Sequence, residues 1–250
     1  MKKTLFAILL IFFVIGCSTK RDIVYLNKSS EILEQYEYKD FIIQADDILN
    51  IKVMTMLPEL SLKYNPISDN MFNTIEGAKL QGYLVDNLGY ITFPVLGKIN
   101  LMGLTIDEAQ NKIYDLLLES GNLINHTVII KSINNHFTVL GEVLRPGVYQ
   151  FFDNNINIFE AIGMAGDLTI NGIRTDIKIV RKINDTNKVY SFDLTENEVL
   201  SSELFQILNN DIIIVNPNTS RIKNAGIIGN AGNLLSLLSF LLSTIIVINN

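Results

Sequence analysis

Phe137-Thr138-Val139-Leu140-Gly141-Glu142-Val143-Leu144-Arg145-Pro146-Gly147-Val148-Tyr149 reads as strand, turn and strand. Apolar β-formers flank an Arg-Pro-Gly turn, where proline presets φ and glycine supplies conformational freedom. Downstream, Asn157 caps a short helix through Glu160, with Ile158, Ala161 and Ile162 inward and Gly166 as its stop. Ile173 to Ile183 and Lys188 to Phe192 form an expected hairpin around Asn184-Asp185-Thr186-Asn187. A last strand, Ile212 to Val215, follows the turn Asn209-Asn210-Asp211. Strands with one short helix laid across them predict a small β-grasp-like unit over 135–217.

Upstream, 38–134 reads as a second unit. Phe41 to Val53 is two strand-like pieces around the acidic turn Asp46-Asp47, and Leu49, Ile51 and Val53 alternate as one buried face. Residues 58–78 are mostly polar and read as a long loop. Tyr83-Leu84-Val85, the turn Asp86 to Gly89 and Tyr90 to Phe93 make two short strands, and Pro94 ends their pairing. Thr105 to Glu108 is a capping box. It opens a helix with Ile106, Ala109, Ile113, Leu116 and Leu117 on one face, ending before Gly121. Thr127 to Ile133 is the next strand.

The ends of the chain differ from its middle. Lys2 and Lys3 precede the apolar run Leu5 to Ile15, an order that predicts a signal peptide over 1–16. Val14-Ile15-Gly16-Cys17 fits a lipobox, which makes Cys17 a lipidation site and the mature N-terminus. Cys17 is the only cysteine of the chain, so no intramolecular disulfide is available. Ser18 follows it with no Asp at that position, which by the enteric sorting rule directs the lipoprotein to the outer membrane. Residues 17–37 read as a lipid-anchored tether. At the other end, no charged side chain occurs from Asn224 to Asn250. After a linker over 218–230, residues 231–248 predict a transmembrane helix of roughly 27 Å. Asn233, Ser236, Ser239, Ser243 and Thr244 fall within one arc of it. Such a stripe either faces a lumen or packs helices together.

Removing the signal peptide takes the net charge from −6 to −8, and no run of Lys or Arg occurs. Nucleic-acid binding is therefore not expected. His126 and His136 are isolated in strand-like sequence and read as ordinary strand residues, so no metal site or cofactor is implied. The paired acids Asp46-Asp47 and Glu196 with Glu198 lie in turns or polar runs, not at a marked cleft, so an enzyme is not expected.

These pieces, in this order, resemble the Wza-like outer-membrane polysaccharide export proteins. Gly89 to Ile99 and Gly103 to Ala109 resemble the motifs of the polysaccharide export domain. Val139 to Tyr149, Glu160 to Gly166, and Ile207, Asp211, Ile213 and Val215 resemble those of an SLBB domain. The chain departs from the pattern where Asp46, Asp167 and Asn210 replace glycines and Ile207 replaces leucine. Only one SLBB unit is visible, where larger members stack more. The resemblance implies an α+β fold: an export domain, an SLBB domain, and a C-terminal transmembrane helix assembling into an α-helical barrel. It implies a homo-oligomer, commonly an octamer, that exports capsular or exopolysaccharide across the outer membrane. Its inner-membrane partner would be a polysaccharide co-polymerase with a tyrosine-kinase-like part, with a polymerase supplying the chain. The competing reading is a periplasm-facing lipoprotein that binds or tethers envelope glycan without forming a pore.

Overall fold

The computed structural model describes residues 23–27, 36–65, 75–121, 123, 125–153, 155–183 and 186–219, with seven single positions between 232 and 244. Their apolar side chains gather into two separate buried clusters, one per unit.

In the first unit, β1 (Ile48–Thr55) lies between β2 (Tyr83–Leu84) and β5 (His126–Ser132), antiparallel to both. Leu49, Ile51 and Val53 of β1 and Val128 and Ile130 of β5 point into one core. A separate hairpin of β3 (Tyr90–Phe93) and β4 (Gly97–Asn100) adds Ile91, Phe93 and Ile99. Residues 58–78, expected as loop, contain the single turn α1 (Pro58–Ser61) and the start of α2 (Ile75–Gln81). Pro58 suits the first position of a helix, which needs no N–H there. Asn65 then completes the edge of β1 with its carboxamide. Its Oδ1 accepts from Val53 N at 2.8 Å and its Nδ2 donates to Val53 O at 2.9 Å. The longest helix of these units, α3 (Ile106–Glu119), starts at the expected capping box. Thr105 Oγ1 accepts from Glu108 N at 3.2 Å, and Glu108 Oε2 accepts from Thr105 N at 2.8 Å. Ala109, Ile113 and Leu117 are its buried face.

In the second unit, β6 (His136–Gly141), β7 (Gly147–Gln150), β9 (Gly172–Ile183), β10 (Thr186–Phe192) and β12 (Ile212–Pro217) form one sheet in the order β10-β9-β12-β6-β7. Of its four contacts, that of β12 with β6 is parallel and the other three are antiparallel. A small pair of β8 (Ile156–Asn157) and β11 (Gln206–Ile207) flanks the start of α4 (Ile158–Met164). Asn157 caps α4 with a second reciprocal box to Glu160.

The expected fold class needs correction. The described residues are mostly β-sheet with few helices, and among them no helix is long and apolar enough to cross a membrane. The transmembrane helix expected over 231–248, and the helical barrel built on it, are therefore not supported. Of the striped residues, Ser236, Ser239, Ser243 and Thr244 are helical and exposed, while Asn233 lies outside the described residues. Ser239 Oγ donates to Leu235 O at 2.8 Å, and the Ser243 and Thr244 hydroxyls donate to Phe240 O at 2.8 and 2.7 Å. These hydroxyls turn back to the preceding turn of their own backbone. Length and absence of charge are what a span requires, and they do not by themselves make one.

Candidate functional site

The two units meet at a junction built from asparagines and one buried acid. Asn134 accepts from Ile48 N at 2.8 Å and donates to Asp46 O at 2.8 Å. From the second unit, Asn209 Oδ1 accepts from His136 N at 3.0 Å, and Asn209 Nδ2 donates to Asp47 Oδ1 at 3.3 Å. Asp47 is 3% exposed, and its other oxygen accepts from Gln44 N at 2.8 Å. Burial pushes its carboxyl up to about 6, although the bonds from Gln44 and Asn209 pull the other way.

The chain before the first unit does not dangle free. Gln206 holds it: Oε1 accepts from Lys39 N at 2.9 Å and Tyr36 Oη at 3.2 Å, while Nε2 donates to Lys39 O at 2.9 Å. Tyr36 and Tyr38 pack edge-to-face, and both rings contact Phe205. Further back, Tyr25 docks against the second unit. Its hydroxyl donates to Asp167 Oδ1 at 2.5 Å, its ring meets Phe159 edge-on, and the Arg174 guanidinium lies 5.2 Å from the ring centre. Leu26 N and Asn27 N donate to Leu194 O and Thr195 O at 3.2 and 2.7 Å. Parts of the expected tether are thus a strap across the second unit.

Where strap, first unit and second unit converge, a cleft of about 850 Å³ opens. Tyr36 and Lys39 line it from the linker, Gln44 and Asp46 from the first unit, Lys182 and Tyr190 from the second. Beneath it, Arg181 is fixed by the buried Asp211 carboxylate, with Nη2 donating to Oδ2 at 2.7 Å and to Gln206 O at 2.7 Å. Lys39 and Glu203 form an exposed pair at 2.9 Å, which contributes little to stability. Half-exposed tyrosine rings offer a flat apolar face and a polar edge, and amide and carboxylate groups beside them can bond neighbouring hydroxyls. That combination suits a hydrated, polyhydroxylated ligand.

None of the residues singled out in the sequence lies in this cleft except Asp46. Cys17 and the expected signal peptide lie outside the described residues. Glu196 precedes a 3-10 turn, Asn197–Ser201, and Glu198 lies in its first turn, away from the Asp46-Asp47 turn in the chain and on a different unit. His126 stacks on Tyr114 at 4.3 Å with Nε2 3.1 Å from Tyr114 O, and His136 Nδ1 is 3.0 Å from Asn134 O. Tyr36, Lys39, Gln206 and Tyr190 were missed. Their only sequence signal was the pair of tyrosines in an otherwise polar tether.

Two family models cover this architecture. The polysaccharide biosynthesis/export protein family matches residues 35–131, and the SLBB domain matches residues 136–193. Together they define a polysaccharide export and binding protein, and neither is an enzymatic family. The chain thus carries a polysaccharide biosynthesis/export domain followed by an SLBB domain. A polysaccharide export domain points to the cell envelope. No curated protein matches the sequence.

Proposed function

We propose that the chain is a lipid-anchored subunit of an oligomeric channel that carries capsular or exopolysaccharide from the periplasm to the cell surface. The observation that supports this reading is the export unit and the SLBB unit sharing one polar, tyrosine-bearing cleft. Diacylglycerol on Cys17 fixes the subunit to the outer membrane. Copies of the chain, commonly eight in this family, close the ring, and an inner-membrane co-polymerase with a tyrosine-kinase-like part delivers the polymer. The cleft carries no reaction; it holds and releases sugar. A second reading is a lipoprotein that binds envelope glycan without forming a pore, for which the polar, tyrosine-bearing cleft alone suffices.

Removing the chain from cells separates the two. Export predicts that polymer accumulates in the periplasm and disappears from the surface, with both effects reversed by restoring the chain. Tethering predicts that polymer still reaches the surface and is shed into the medium. The mass of the mature N-terminal peptide tests the anchor, which is expected to carry diacylglycerol on Cys17.

A further inference from the structure

The two units treat their sheet edges differently. In the first, side chains occupy them. Asn65 bonds both the N–H and the carbonyl of Val53 on β1, and Gln110 Oε1 accepts from Ile130 N at 3.0 Å on β5. In the second unit the edges are open. Among the described residues, no group outside β9 bonds the backbone of β10, and none outside β6 bonds that of β7. Strand β10 is seven residues long, holds no proline, and keeps an unbroken register with β9. Folded chains ordinarily blunt such an edge, because a row of unpaired N–H and C=O groups is a template for another strand.

The two open edges match in direction. Strand β10 is antiparallel to β9, β9 is antiparallel to β12, β12 is parallel to β6, and β6 is antiparallel to β7. So β10 and β7 run in opposite senses. A second copy set beside the first, rotated about an axis along the strands, brings its β7 against β10 as an antiparallel pair. The edges also match in side chains. Cross-strand partners trace rows over the sheet, and one row runs Val189, Val180, Ile212, Thr138, Val148. It ends at both edges on valines that are 65% and 63% exposed. The next row runs Tyr190, Ile179, Ile213, Val139, Gly147, and its three middle residues are fully buried. Continued from one copy into the next, the rows set Val189 opposite Val148 and Tyr190 opposite Gly147. Facing β-branched side chains pack well across strands. A Cβ on Gly147 would meet nothing within 4 Å, and an aromatic ring across from an edge glycine fills that kind of space.

We infer that β10 of one copy pairs with β7 of the next, head to tail, so that the sheet of the second unit continues from copy to copy. This rests on the oligomeric part of the proposed function and names the surface that part uses. Each copy offers both halves of the contact, so the assembly closes into a ring when the rotation per copy divides a full turn. Self-pairing of β10 about a two-fold axis would leave β7 open and the glycine at its edge unfilled. Tyr190, which lines the cleft, then stands at the boundary between neighbouring copies.

The test uses the whole chain, purified from membranes with its native N-terminus and followed by sedimentation in detergent. The parent chain is expected to run as an oligomer. Val148→Lys and Val189→Lys are each expected to raise the dissociation constant about fivefold, as loss of a cross-strand pair does. Val148→Glu combined with Val189→Lys is expected to recover the parent value. Within one chain these positions stand four strand spacings apart, about 19 Å, so the new charges meet only across the contact. Both side chains face solvent, and unfolding midpoints by circular dichroism are expected to stay unchanged. In intact cells, chains carrying both Val148→Cys and Val189→Cys are expected to give a ladder beyond the dimer with a short bis-maleimide. Either change alone is expected to give no more product than the parent, whose only cysteine is Cys17. Dimers from Val189→Cys alone mean that β10 pairs with itself, and overturn the inference. An oligomeric parent indifferent to all of these changes places the contact elsewhere and overturns it as well. A parent that sediments as a monomer, with no ladder from the double variant, overturns the oligomeric reading along with it.

Discussion

Asp46, Asp167 and Asn210 share a left-handed backbone, with φ of +69, +75 and +69. These are the three positions where the chain departs from the glycines of the family pattern. Asp and Asn tolerate that region better than other side chains, so the departures preserve the turns. In the sequence they looked like weakened motifs; only φ reveals them as equivalent. Gly141, which the motif does keep, has no such freedom. Its φ is +95, and a Cβ there would stand 2.0 Å from Val215 O across the parallel β6–β12 contact. Gly141→Ala is expected to lower stability by about 3 kcal/mol or more in denaturant unfolding, since backbone must move to admit it. Asp47 gives a pH signature. Its carboxyl is raised from 3.8 to about 6 in the folded chain, so the folded state favours the protonated form. That contribution is fully present below about pH 3.8 and is lost as pH rises through about 6; the linkage spans on the order of 3 kcal/mol. Thermal unfolding at pH 4.5 and 7.5 should therefore show a smaller loss on raising pH for Asp47→Asn than for the parent chain.

At the scale of elements, both helix starts were legible because capping is local chemistry. Thr105 with Glu108 and Asn157 with Glu160 make the reciprocal bonds their spacing promised. Thr105→Ala and Asn157→Ala are each expected to reduce stability by about 1 kcal/mol, measured by urea unfolding. The strand from Leu49 to Val53 was equally legible, since alternation reports a half-buried sheet directly. What alternation cannot report is who pairs with whom. Asn65 serving as an edge partner for Val53, and β2 joining β1 across α2, depend on contacts distant in sequence.

For the whole molecule, the cleft was illegible because its lining comes from three segments far apart in the chain, joined by Gln206 and the asparagine junction. No spacing rule connects Tyr36 to Tyr190. Combined Tyr36→Ala and Tyr190→Ala changes are expected to weaken binding of the exported polysaccharide about tenfold, read by calorimetry with purified polymer, with unfolding midpoints little altered at Tyr190. The placement of β12 has a consequence for how the protein is made. The SLBB resemblance ends at residue 193, yet the strand in the middle of that sheet is Ile212–Pro217. A chain cut after Asp193 would leave β6 and β9 with no common neighbour, and is expected to lack cooperative unfolding by circular dichroism. During synthesis, the first unit has every strand it needs once Ser132 has emerged. The second waits for Pro217, and Leu26 and Asn27, among the earliest residues to arrive, wait with it for Leu194 and Thr195. The strap at Leu26 and Asn27, made before either unit, is thus among the last parts to find its place.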